Sequence, residues 1–302
     1  MLKINITVLT TTYNRVELLQ KLYDSLGKQS DQDFQWLIID DGSTDNTFEV
    51  IKKISTKQNA FRINYFRKEN GGKHTALNYA HSYITGDVIT IVDSDDILVP
   101  DAVAAIRHYW DSVYKNKEYA TVVFEQVNQS GVKLGEFPKK IYSGSDLDYR
   151  IKKAIAGDFA ETIRASVFKK FPFPVYKNKE KFFPEGWLWT NVALLYSTVN
   201  ISYTIVVGGY QDDGLSKRGR LMRLQSPVGL MKYYRLLENV KVISLKYKIK
   251  NALAFNVYKL SNQKFIHTLT GNEIKTEFGH DTLTERLLKL PAIIIYYYWK
   301  KR

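Results

Sequence analysis

The sequence predicts a Rossmann-like α/β fold: a mainly parallel sheet flanked by helices, followed by a mainly helical C-terminal extension. Three observations carry this. Between residues 4 and 92, short apolar runs rich in β-branched residues alternate with stretches of helical apolar spacing, the pattern that builds parallel strands joined by right-handed crossovers. Each run ends in a polar loop, and in such a sheet those loops collect on one edge. From about residue 224 onward the strand period gives way to helical spacing.

The first strand covers residues 4–10, and Thr11-Thr12-Tyr13-Asn14-Arg15 is a polar loop before a helix over 16–26 that Asn14 is suited to cap. Residues 34–39 form a second buried strand. Asp40-Asp41-Gly42-Ser43-Thr44-Asp45 then leads into a helix through Ile54 that Ser43 or Thr44 can cap. A third strand, 62–67, runs into Asn70-Gly71-Gly72-Lys73-His74 and a helix over about 75–84. The run Val88-Ile89-Thr90-Ile91-Val92 reads as the central strand, apolar on both faces, and stops at Asp93-Ser94-Asp95-Asp96. Residues 100–114 follow as a helix and 120–127 as a strand, with Gln129-Ser130-Gly131 turning into a hairpin partner near 132–137. Residues 145–156 have helical spacing, and 159–168 fit strand or helix. The segment 171–184 reads as loop, because its prolines fix φ and remove donors. Glu185 opens a helix to about residue 196, residues 201–207 form a last strand, and 208–220 is a Gly-rich basic loop.

Several function classes are excluded on composition. The 302 residues carry 44 Lys and Arg against 31 Asp and Glu, a net charge of +13, with the excess concentrated after about residue 215. No helix-turn-helix, zinc spacing or aromatic RNA-binding strand pair accompanies that charge, so no nucleic acid is expected. An anionic membrane surface or a phosphate-bearing substrate fits instead. The absence of cysteine rules out disulfides and thiolate metal sites and suits the cytoplasm. The N-terminal run reads as a strand rather than an export signal, and no stretch of 18 apolar residues predicts a membrane span. Residues 287–302 are apolar and aromatic with a basic end, which suits either an interfacial segment at the inner face of the plasma membrane or a helix packed on the core. Oligomeric state is not legible.

Carboxylates crowded at the C-terminal end of a central strand point to chemistry, since open α/β sheets bind ligands at that edge and clustered Asp oxygens suit a hard divalent cation. A solvated Asp-rich turn is the bland alternative. In this order and spacing, the Thr-Thr-Tyr-Asn loop, Asp-Asp-Gly-Ser-Thr-Asp, the Gly-Gly-Lys turn and Asp-Ser-Asp-Asp resemble the inverting family 2 glycosyltransferases with the GT-A fold, closely over residues 4–105 and more loosely over 106–216. The resemblance implies a catalytic domain over 1–220, with a nucleotide-sugar half 1–105 and an acceptor half 106–220, and a helical extension over 221–302.

It further implies that Thr11, Tyr13 and Asp41 hold the uridine of a UDP-sugar, the Asp41 carboxylate accepting the uracil N3–H. Lys73 would serve the nucleotide or diphosphate. Here the chain departs from the family's Ala-Arg-Asn, having Ala76-Leu77-Asn78, so that Lys73 or His74 stands in for the arginine. Asp93 would contact ribose or sugar, and Asp95 would ligate Mn2+ or Mg2+. Glu161, with Thr162, would face the donor sugar, and Ser216, Lys217 and Arg218 the diphosphate. Glu185 would be the general base, with Trp187 and Trp189 beside it for stacking or packing, and the acceptor a glycan or an undecaprenyl-diphosphate-linked glycan. A nucleotidyltransferase is the rival enzyme, but the loop after strand one lacks glycine. No G-x-G-x-x-G follows any strand, which disfavours a dehydrogenase. A silent subunit of a polysaccharide-assembly complex would not need Asp41, Asp93, Asp95 and Glu185.

Overall fold

The computed structural model describes residues 3–135, 137, 141–145, 147, 157–176, 180–209, 219–238, 240 and 244–301. The chain divides into two compact units, one of Met1–Pro172 with Val192–Gln211 and one of Phe173–Asn191 with Asp212–Arg302.

In the first unit, β1 (Ile6–Thr12), α1 (Val16–Leu26), β2 (Phe34–Asp40), α2 (Thr47–Ser55), β3 (Arg62–Arg67), α3 (Lys73–Ala80) and β4 (Val88–Ile91) follow the predicted alternation. Next come β5 (Ile97–Leu98), α4 (Ala102–Val113), β6 (Tyr119–Asn128), β7 (Ile141–Gly144), β8 (Phe159–Arg164) and α5 (Ala165–Phe168). Helix α6 (Gly186–Leu195), whose residues up to Asn191 belong to the second unit, precedes β9 (Ser197–Gly208). Among the described residues these strands form one sheet in the order β3-β2-β1-β4-β8-β6-β9-β5, with β7 added on β9. Strands β1 and β2 are buried along their whole length, as apolar runs covered on both faces must be. Helices α1, α2 and α4 lay Leu19, Leu22, Ile51, Ile54, Ile106 and Trp110 onto that core.

Parallel pairing holds for β3-β2-β1-β4. It then breaks, because β8 runs antiparallel to both β4 and β6. The stretch that fitted strand or helix is both: β8 and then the one-turn α5. Strand β9 begins four residues earlier than expected and carries register shifts against β6, which bend it to reach β7 and β5. The hairpin after β6 reduces to a turn, with the Asn128 N–H donating to Val132 O and a single bridge from Val127 to Lys133. Most of the helix expected over 145–156 lies outside the described residues.

Asn14 does not cap α1. Its φ is +52°, and its side-chain oxygen accepts the Thr44 N–H at 2.7 Å. Nor do Ser43 and Thr44 cap α2. Asp45 performs both tasks: Oδ2 accepts from Val16 N at 3.2 Å and Oδ1 from Thr47 N at 3.1 Å. One carboxylate thus satisfies donors at the starts of two helices, where the dipoles favour negative charge. The loops after β1 and β2 are fastened together in consequence.

The second unit is built on α7 (Gly219–Leu224), α8 (Pro227–Glu238), α9 (Leu245–Ser261), α10 (Gly271–Phe278), α11 (Leu283–Leu287) and α12 (Lys289–Lys301), with a π-helical turn over Asn262–Ile266 after α9. Leu224, Val228, Met231, Phe255, Tyr258, Phe278, Ala292 and Tyr296 form its own core. Capping boxes start α10 (Thr270 with Glu273) and α11 (Thr282 with Glu285). The segment 173–191, expected with the sheet, belongs to this unit. Buried Glu180 accepts from the N–H groups of Val228 (2.9 Å) and Gly229 (2.8 Å) at the start of α8, and Phe182 N donates to Ser226 Oγ at 3.1 Å.

Candidate functional site

The polar loops after β1, β2, β3 and β4 converge at one edge of the sheet in the first unit. Register brings Thr11 beside Ile39 and Thr12 beside Asp40, and the Asp41 N–H donates to Thr12 O at 2.9 Å. Asp40 turns inward, where its Oδ1 accepts from Ser43 N at 2.7 Å and its Oδ2 from the Tyr65 hydroxyl. Asp41 turns the other way, and both its oxygens are engaged. Oδ1 accepts from Lys68 Nζ at 2.7 Å and Gly71 N at 3.0 Å, Oδ2 from Gly72 N at 2.7 Å and Asn70 Nδ2 at 3.3 Å.

This carboxylate therefore shapes the Gly71-Gly72 turn. Gly72 adopts φ +93°, which a side-chain-bearing residue resists, and that delivers Lys73 as the first residue of α3. His74 is buried one residue later. Burial pushes its pKa down to about 4, with Asp41 pulling it upward and Lys68 adding to the fall, so the ring is neutral near pH 7.

Lys73 Nζ sits 2.6 Å from Asp93 Oδ1, and Arg15 Nη1 sits 3.0 Å from Asp95 Oδ2. Partial desolvation would raise the pKa of the half-exposed Asp93, but Lys73 and then Arg15 hold it below the usual carboxylate value. Asp95 is raised by burial against the pull of Arg15. Asp96 is pushed up to about 7 by burial and Asp93, with Asp95 adding to the rise, although its Oδ1 accepts the Gly209 N–H at 3.0 Å. Gly209 lies so close that a Cβ there would stand 1.8 Å from Asp95 O, so only glycine lets the end of β9 meet this turn. Two protein cations and one backbone N–H thus balance the three carboxylates.

The donor set suits a hard divalent cation, since carboxylate oxygens are what Mg2+ and Mn2+ take. Among the described residues no group of three or more His, Cys, Asp or Glu is arranged to hold one. Asp95 and Asp93 can supply part of a coordination shell, and phosphate oxygens of a ligand would have to complete it.

Of the other expected residues, Thr11 is buried at the end of β1 and Tyr13 is exposed just beyond it. Thr162 does not face a ligand: its hydroxyl accepts from Trp110 Nε1 at 2.7 Å and donates to Val122 O at 2.6 Å. Strand alternation puts Glu161 on the opposite face, one residue past the Thr90–Thr162 pair. Ser216, Lys217 and Arg218 lie outside the described residues. Glu185 belongs to the second unit, immediately before α6, where its Oε1 accepts from Trp189 Nε1 at 3.4 Å. Trp187 stacks edge-on against Phe183, so of the two tryptophans it is the packing one. Sequence reading passed over Arg15, Lys68 and Gly209. A cation at the end of a strand was the available signal for the first two.

A parallel β3-β2-β1-β4 half with an antiparallel insertion and a helical C-terminal unit defines an α/β protein of the GT-A type. The chain belongs to glycosyl transferase family 2, whose model matches residues 7–171. It is 28% identical over 211 residues, 68% of each chain, to an uncharacterized glycosyltransferase of Mycoplasma genitalium. It is 25% identical over 191 residues to the GalNAc(5)-diNAcBac-PP-undecaprenol beta-1,3-glucosyltransferase of Campylobacter jejuni, covering 62% of this chain and 59% of that one. Its fold resembles that of TarS from S. aureus in complex with UDP-GlcNAc, at TM-score 0.64 and 17% identity over 98% of this chain and 81% of that one.

Proposed function

We propose that this glycosyltransferase moves a sugar from a UDP-sugar to a hydroxyl of a glycan or lipid-linked glycan in bacterial surface-polysaccharide synthesis, by a single displacement that inverts the anomeric centre. The observation that carries the reading is the acidic edge itself, where Thr11, Asp41, Lys73, Asp93 and Asp95 come from four loops to one place. The Campylobacter relative, named for an undecaprenol-linked acceptor, and the TarS complex with UDP-GlcNAc support the donor and acceptor classes.

In this reading Thr11 and Tyr13 border the base, and Asp41 accepts the uracil N3–H. The 3.3 Å contact from Asn70 is the longest of the four bonds to Asp41, so N3–H replaces it with no change in the number of bonds accepted. Lys73 turns from Asp93 toward the diphosphate, and Asp93 then accepts from ribose or sugar hydroxyls. Asp95, with Asp93 beside it, would hold Mn2+ or Mg2+, which when bound would supply Lewis-acid charge to the departing diphosphate. Ser216, Lys217 and Arg218 add phosphate donors, and Glu161 lines the sugar side. Glu185, oriented by Trp189, takes the proton of the attacking hydroxyl.

Calorimetry with UDP and GDP, each with and without Mn2+, tests the donor half. UDP should bind with metal at least tenfold tighter than GDP, a difference of about 1.4 kcal/mol. Equal affinities would remove the role given to Asp41.

A further inference from the structure

We infer that α11 and α12 present a membrane-docking face whose partner is an anionic lipid surface, with the helices lying in the plane of the interface. The basis is that α12 is apolar on two sides and only one of them is buried. Ala292 and Tyr296 point inward and are fully buried, and Trp299 packs on Tyr258 of α9. On the other side of α12, Leu290, Ile294 and, three and four residues on, Tyr297 and Tyr298 are exposed, Leu290 at 75% and Ile294 at 71%, and Leu283 and Leu287 are exposed four residues apart on α11. Aliphatic side chains left in water at that spacing form a stripe, which marks an interaction surface rather than scattered exposure.

Charge selects the partner. Residues 216–302 contain 18 Lys and Arg against 5 Asp and Glu, so this part carries the whole net charge of +13. The two acids nearest the stripe are consumed internally: Glu285 is buried against Arg235 at 3.0 Å, and Asp281 pairs with Lys259 and Lys289. The stripe is thus bordered by Arg286, Lys289 and Lys300 with no free acid. Apolar and aromatic side chains set among cations match the headgroup region of an anionic leaflet.

Length decides between lying on and crossing. With 13 residues, α12 is about 20 Å long, well short of a hydrocarbon core of roughly 30 Å, and no described helix is long and apolar enough to cross a membrane. The inward face is also already taken by protein. This surface rests on the lipid-linked acceptor reading for its purpose, but its binding is measured without donor or acceptor, so the two can fail separately.

Flotation with vesicles of equimolar phosphatidylcholine and phosphatidylglycerol, and with phosphatidylcholine alone, tests it. The wild-type chain should float with the anionic vesicles, and far less with the neutral ones or in high salt. The double variant Leu290→Asp with Ile294→Asp touches only exposed positions and should lower anionic-vesicle binding roughly tenfold or more at unchanged melting temperature. Val132→Asp, at an exposed apolar site of the other unit, should bind as wild type. No flotation of the wild type, or flotation unaltered by the double variant, overturns the inference. So does a concentration-dependent dimer that the double variant abolishes while vesicles go unbound, because the occupant would then be a second copy.

Discussion

Asp95 is met by Arg15 at 3.0 Å, and the pair is only partly exposed, with side-chain accessibilities of 16% and 26%. In the proposed reading, a divalent cation held through Asp95 Oδ2 competes with that guanidinium. For an ion pair of this exposure the competing interaction is worth about 1 kcal/mol, or roughly a fivefold factor in affinity. Arg15→Gln should therefore tighten Mn2+ binding several-fold in the absence of nucleotide, read as free Mn2+ by electron paramagnetic resonance, whereas Asp95→Ala should weaken it. Unchanged or weaker Mn2+ binding in Arg15→Gln would mean that the arginine does not compete. At this scale the acidic positions were legible in the sequence, because three carboxylates in four residues after a buried strand stand out locally. Their partners were not. Arg15 and Asp95 are 80 residues apart, and nothing in either neighbourhood encodes the pairing.

Glu180 shows how one side chain holds an element that carries another. Its carboxylate closes the start of α8, and five residues on Glu185 stands at the head of α6, where a Cβ added to Gly186 would meet the Tyr233 hydroxyl of α8 at 2.7 Å. Burial raises the Glu180 pKa above its ordinary value of 4.5, against the bonds from Gly229 and Val228 that lower it. The folded state thus binds this proton more tightly than the unfolded chain. The resulting stability is complete below pH 4.5 and is lost as pH rises through the folded value. Glu180→Gln carries no charge and keeps an acceptor for only one of the two N–H groups, a loss of stability that does not depend on pH. Its melting temperature relative to wild type should rise as pH is raised above 4.5, and a difference independent of pH would contradict the raised value. Elements of the parallel half were legible because each is short, keeps its own apolar period and is bounded by a polar loop. The β8 and β9 insertion was not, since antiparallel partners and register shifts depend on contacts far apart in sequence. Asn14 and Asp45 illustrate the same limit: which loop residue caps a helix depended on the neighbouring loop.

At the scale of the whole chain, the residues assigned to the nucleotide-sugar and the residue assigned to the acceptor proton belong to two units with separate cores. The sequence anticipated two parts but divided them at residue 220, because nothing in the composition of 173–191 reveals that Glu180 and Phe182 bond to α8. This division has a kinetic consequence. Asp41, Lys73 and Asp95 lie in the sheet unit, so donor binding should be insensitive to chemistry at Glu185. Glu185→Gln preserves shape and can still accept from Trp189 Nε1, yet cannot take a proton from the acceptor hydroxyl. Loss of a general base in a single displacement slows transfer by roughly 10²–10⁴-fold. That loss should appear in kcat, with UDP affinity by calorimetry unchanged and the product anomer inverted by NMR coupling. Transfer near the wild-type rate in Glu185→Gln, or a retained configuration, would move the base elsewhere. A parallel fall in UDP affinity would instead mean that Glu185 acts on the donor.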